Sequence, residues 1–199
     1  MASLAFVNEH NQVSYLEKTE VKYGPIFHEI VDFLNASHIR YALTLNPIIY
    51  VSQIKRFWQT VTVTTIEDGN IHSPVDALSA TVDGVTVNVT ESSLRRLLQL
   101  DDQNGFITLP NSEILKNISD MGYDTSNGKL TFKKGCFSPQ WRFLIHTLLH
   151  CLSPKKTSYE QFSTTIAYPL VCLATNRTFN FSKFLFNYMV SNVTSNYKF

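Results

Sequence analysis

Apolar and polar positions along this chain change period twice, and the changes divide it. In "PIFHEIVDFLNAS", Ile26, Ile30, Phe33 and Leu34 recur at i, i+4, i+7 and i+8, one face of a helix with Pro25 suited to its first position. After Pro47, "IIYVSQIKRFWQ" repeats the scheme, with Tyr50, Ile54, Phe57 and Trp58 as the stripe. The period then falls to two. "TVTVTTIE" alternates β-branched residues, and "LSATVDGVTVNV" reads as two strands around Asp83-Gly84, a dipeptide suited to a tight hairpin because both residues tolerate positive φ.

The helical period then returns. Thr90 is the expected cap of "ESSLRRLLQL", with Glu91 near the positive end of its dipole, and "PNSEILKNISDMGY" follows, closed by Gly122. "KLTF" reads as a further short strand. Ser138-Pro139 predicts a helix start, and that helix runs to about Leu152. Thr157 and Glu160 have capping-box spacing for a helix over "SYEQFSTTIAYPLVCLAT", in which Pro169 predicts a kink or an early stop. Ser182 is the expected cap of the last helix, "KFLFNYMVSN". Residues 1–24 are weakly patterned and read as an N-terminal arm, with a short strand at Gln12 to Leu16. The prediction is an α+β fold: a mostly helical single domain over 25–199, with a small antiparallel sheet or hairpin inserted between helices.

Composition supports a globular chain, since 44% of the residues are hydrophobic and only 17% charged. Cys136, Cys151 and Cys172 form no CxxC pair, and an odd number leaves at least one unpaired, which points to a reducing compartment. Neither a leader nor an apolar run long enough for a membrane span is visible, so an intracellular protein, cytoplasmic or nuclear, is expected. The six Asn-x-Ser/Thr sequons, such as Asn35 and Asn88, then read as caps and turns.

Candidate chemistry centres on "WRFLIHTLLHC". His146 and His150 stand four apart on one helix face, as zinc-binding histidines do. The intervening Thr147-Leu148-Leu149 supplies no general base, Arg142 one turn earlier repels a cation, and no third ligand stands out. With Trp141, Ile145, Leu148 and Leu152 as the apolar stripe, the two histidines and Arg142 share the opposite, polar side. No nucleophile elbow or Gly-rich phosphate loop occurs, so neither a catalytic constellation nor a cofactor is expected.

Charge is polarised along the chain although the net is only +1. Residues 67–124 hold ten acids and three bases, whereas 125–159 hold no acid and six bases: Lys129, Lys133, Lys134, Arg142, Lys155 and Lys156. With Phe132, Phe137 and Trp141 interleaved, one reading is a surface for nucleic acid or an acidic partner. The other is that the basic stretch docks on the chain's own acids or is simply solvated.

Several stretches together resemble a plant retrotransposon-associated domain of copia-type element polyproteins: "NEHNQVSYLEK", "IVDFLNASHIRYALTLNPIIYVSQIKRFW", "ATVDGVTVNVTESSLRRLLQLDD", "LPNSEIL", "MGYDTSNGKLTF", "FSPQWRFLIHTLLHCLS" and "CLATNRTFNFSKFLFNYMVSN". The "VDG" hairpin followed by "TESSLRRLLQL" also resembles the strand-then-helix core of plant mobile domains. The resemblance implies a module that accompanies reverse transcriptase, ribonuclease H and integrase regions, and a chain that is part of a longer reading frame. It brings no catalytic residues. The expected function is therefore a non-catalytic interaction module whose partners are nucleic acid or element-encoded proteins. A cryptic metal enzyme using His146 and His150, or a longin-like trafficking adaptor with a five-stranded sheet, are the alternatives.

Overall fold

The computed structural model describes residues 28–45, 47–67, 74–151 and 160–195, without the side chains of His150 and Cys151. The arm, the strand expected at Gln12 to Leu16, Pro25 and Thr157 lie outside them. The fold is α+β, with eight α-helices and antiparallel sheets of three and two strands among the described residues. None of these helices is long and apolar enough to cross a membrane. The chain clusters into two compact units, each assembled from two separate stretches: residues up to 46 with 104–179, and 47–103 with the residues from 180 onward.

The first unit contains α1 (His28–Ala36) and α2 (Arg40–Thr44). Val31 and Leu34 are the buried residues of α1, a face rotated from the predicted stripe, and Phe33 is exposed. Across the other stretch come α5 (Asn111–Asp120), β4 (Thr131–Lys133), a 3-10 turn (Lys134–Cys136), α6 (Pro139–Cys151), β5 (Gln161–Ser163) and α7 (Thr164–Ala174). As expected, α5 ends at Gly122, whose φ of 88° only glycine adopts readily. Helix α7 is the centre of the unit: Ile166, Ala167, Leu170, Val171 and Cys172 are all buried, and it packs on both α5 and α6.

One expectation fails here, and of the two effects expected of Pro169 the early stop does not occur. The residues before α7 do not extend the helix; Gln161–Ser163 pair with Thr131–Lys133 as β5, with Phe162 opposite Phe132. Two buried phenylalanines on one sheet face outweigh local capping-box spacing. Nor does Pro169 stop α7, which continues to Ala174. The four residues after the proline are buried apolar side chains, and their packing compensates for the one lost backbone hydrogen bond.

Burial pushes the Cys172 thiol up to about 11 from its ordinary value of 9.0. In the native protein iodoacetamide should therefore alkylate the exposed Cys136 and spare Cys172, and denaturant should open Cys172; peptide mapping after labelling reads both. The linkage has a definite sign. Between pH 9 and 11 the unfolded thiol loses its proton and the folded one keeps it, so stability falls as pH rises through that window, by about 2 to 3 kcal/mol at most. Cys172→Ala should remove that part of the alkaline destabilisation.

The second unit contains α3 (Val51–Thr60), β1 (Thr62–Glu67), β2 (Pro74–Val82), β3 (Val85–Val89), α4 (Glu91–Leu97) and α8 (Phe181–Thr194). The strands lie in the order β1-β2-β3, both pairs antiparallel. Asp83 and Gly84 have φ of 52° and 80°, the geometry of the two-residue hairpin turn read from the sequence. Thr90 caps α4 as expected: its hydroxyl accepts from Ser93 N at 3.1 Å, and Ser93 Oγ accepts from Thr90 N at 2.9 Å.

On one sheet face Leu78 and Ala80 form a core with Val61 and Phe186, against which Phe57, Trp58, Leu94, Met189 and Val190 pack. On the other, the Thr64 hydroxyl donates to Ser79 and the Ser79 hydroxyl to Asn88 Oδ1, each at 2.7 Å, a polar row across all three strands. The cap of α8 is Asn180, not Ser182. Asn180 Oδ1 accepts from Lys183 N at 2.8 Å, whereas Ser182 is inside the helix and fully buried.

Candidate interaction surfaces

The helix that raised the metal question, α6, buries a wider arc than the sequence stripe. Leu144, Ile145, Thr147, Leu148 and Leu149 are buried, Trp141 and His146 are half-buried, and Pro139 and Arg142 on the outer arc are exposed. The Thr147 hydroxyl is satisfied by the Phe143 carbonyl at 2.9 Å, which lets a polar residue sit inside. Among the described residues no group of three or more His, Cys, Asp or Glu side chains is placed to hold a metal ion. The His150 side chain is not among those described.

The described cations of the basic stretch are not all at the surface. Lys129, Lys133 and Arg142 are exposed, but Lys134 is only 6% exposed, and burial lowers the pKa of its amine. Its backbone explains the position: Lys134 N donates to Glu160 O at 2.8 Å, continuing the pairing of β4 with β5 inward. Lys155 and Lys156 lie outside the described residues.

Two of the three aromatic residues expected to interleave with these cations are also buried, and Trp141 is half-buried. Phe132 and Phe137 form a cluster with Tyr123 and Phe162, in which Tyr123 stacks on Phe137 at 5.0 Å and meets Phe132 edge-on at 5.6 Å. Their rings are spent on the core and are closed to stacking with bases. Asp83, Glu91, Asp102 and Glu113 of the acidic segment pair with Arg56, Arg95 and Arg177, all cations outside the acid-free stretch. Arg177 also lies 5.1 Å over the ring of Phe106.

Beside its hydrophobic core, the second unit buries a polar network that no local sequence pattern marks. Asp102 is fully buried; it accepts from Arg95 Nε at 2.7 Å, from Ser182 N at 2.7 Å and from the Ser182 hydroxyl at 2.9 Å. Arg95 also pairs with Glu91 one turn earlier. Burial acts against the Arg95 charge, but the hydrogen bonds and charges of Asp102 and Glu91 outweigh it and its pKa is raised. A cavity of about 350 Å³ borders this network, lined by Thr90, Glu91, Ser92, Arg95, Lys183 and Phe186.

No family model, curated protein or solved structure matches the chain. The arrangement of its own side chains must carry the functional reading. Strands of the described residues form a three-stranded sheet in one unit and a two-stranded sheet in the other, so the five-stranded sheet that a longin-like adaptor requires is not among them.

One surface was missed. Tyr50 and Ile54 were expected to pack inward with Phe57 and Trp58, and only the latter two do. Ile48 is 81% exposed and Tyr50 59%, and Ile49, Val51 and Ile54 are exposed beside them. Five apolar side chains thus lie outside within seven residues of chain, at the entry to α3. Scattered exposed hydrophobes are ordinary; a contiguous run of this length is a mark of an interaction surface.

Proposed function

We propose that this chain is a non-catalytic interaction module of a retrotransposon-derived protein, which binds an element-encoded protein through the apolar run from Ile48 to Ile54. That exposed run is the observation that carries the reading. Tyr50 suits the role of anchor, being a large amphipathic side chain with few rotamers to fix. The retrotransposon origin rests on the sequence resemblance. The test is a binding titration against the purified reverse transcriptase, ribonuclease H and integrase regions of a copia-type element. One of them should bind with roughly micromolar affinity, and Ile48→Asp with Tyr50→Asp should weaken it at least about tenfold with unchanged melting temperature. Binding to none of them, or binding indifferent to the two substitutions, refutes the proposal.

A second reading is supported by the exposure of Lys129, Lys133 and Arg142 in a stretch free of acids. These cations suit contact with phosphates and, with Phe132 and Phe137 buried, no sequence preference through stacking. Three phosphate contacts imply an affinity for duplex DNA that falls roughly forty-fold between 50 and 200 mM salt. Salt-independent binding, or none at the lower salt, removes this reading.

A further inference from the structure

We infer that β3 is a pairing edge for a second copy of this chain. Among the described residues β3 has a neighbour, β2, on one side only. A two-residue turn makes the pair that flanks it, Val82 and Val85, a hydrogen-bonded one, and bonded pairs then recur at every second residue. By that alternation Val85, Val87 and Val89 bond to β2, while Thr86 and Asn88 direct their backbone N–H and C=O groups outward. Natural edge strands are normally blunted by a charge, a proline or a bulge. The residues of β3, "VTVNV", include no charge and no proline, and their register with β2 is unbroken. The nearest acids on either side, Asp83 and Glu91, are held by Arg56 and Arg95.

The choice of a second copy as occupant comes from the strand's own symmetry. "VTVNV" is nearly palindromic about Val87, so two copies related by a two-fold axis at that residue pair antiparallel in a matched register. Thr86 of each copy then faces Asn88 of the other in a hydrogen-bonded pair, which uses all four outward backbone groups on each strand. Val87 faces Val87 across the axis, and Val85 faces Val89. These valines lie on the sheet face that carries Leu78 and Ala80, yet Val85 is 63% and Val87 38% exposed. Pairing gives each of them a β-branched cross-strand neighbour and extends one hydrophobic sheet face through six strands. The outer face stays compatible, because Asn88 is already turned to Ser79 by its side-chain hydrogen bond.

Sedimentation equilibrium of the full chain over a concentration series tests the inference. The wild type should rise from the chain mass of 22.7 kDa to twice that value, and hydrogen exchange at Thr86 and Asn88 should slow as the dimer fills. Val87→Lys sets two like charges against each other on the axis, and Thr86→Pro removes an outward N–H without touching the bonds to β2. Both should remain monomeric throughout with an unchanged circular-dichroism spectrum. A wild type monomeric up to its solubility limit overturns the inference, as does a dimer that persists in either folded variant or forms without protection of Thr86 and Asn88. Ile48→Asp, on a different surface, should leave the dimer intact.

Discussion

Asp102→Ala is expected to destabilise the protein by about 3 to 5 kcal/mol, read as a lower urea midpoint, because it removes one partner of a buried ion pair. The carboxylate satisfies three donors at once: the Arg95 guanidinium, the Ser182 backbone N–H and the Ser182 hydroxyl. Alanine leaves the first short of its counter-charge with its side chain only 18% exposed, and the other two buried without an acceptor. Ser182→Ala removes a single hydroxyl bond and should cost only about 1 kcal/mol. Asp102→Asn keeps an acceptor for Ser182 while removing the charge opposite Arg95, so it should fall between the two. Equal losses for Asp102→Ala and Ser182→Ala would show that the carboxylate does not hold the network.

The second large effect belongs to the other unit. Phe132→Ala should cost about 3 to 5 kcal/mol, since a fully buried ring leaves a cavity that its neighbours fill only in part. The ring touches Tyr123 and Phe162, and it lies opposite Phe162 in the β4–β5 register. Phe132→Leu, which keeps most of the volume, should cost roughly 1.5 kcal/mol. Thermal and urea unfolding give the magnitudes, and loss of near-ultraviolet circular dichroism reports the release of Tyr123. An alanine variant no weaker than the leucine one is the result that contradicts this account.

What was legible in the sequence was local. Asp83-Gly84 specifies its hairpin because the turn demands positive φ at both positions, and Thr90 specifies its cap because the acceptor and donor are three residues apart. Ser138-Pro139 marks the start of α6 for the same reason. What was not legible depends on residues distant in the chain. Asp102 and Ser182 are 80 positions apart, so the exchange of a capping serine for a buried one has no short-range signature. The strand β5 has three residues and a single buried side chain, too few for a period to register.

The candidate site divides along the same line. The exposure of Lys129 and Lys133 follows from a polar loop and an alternating strand, but the burial of Lys134 follows from its bond to Glu160 across the sheet. At Ile48 to Ile54 the amphipathic pattern was visible, and whether anything covers it is a property of the assembled unit. The partition into two units leaves no mark in composition either: neither the Asn46-Pro47 nor the Gln103-Asn104 boundary carries a Gly- or Ser-rich linker.

That interleaving bears on synthesis. The three strands of the second unit leave the ribosome early, but α8, which supplies Phe186 and Met189 to their core, follows only after the whole of residues 104–179. At cellular elongation rates the delay is roughly 4 to 15 seconds, far longer than a hairpin needs to form. During that interval Leu78 and Ala80 have α3 and α4 but not α8 against them, on a nascent chain with an unguarded strand beside them, and on a crowded polysome this is the moment at which neighbouring chains are most exposed to premature pairing or to capture by a chaperone.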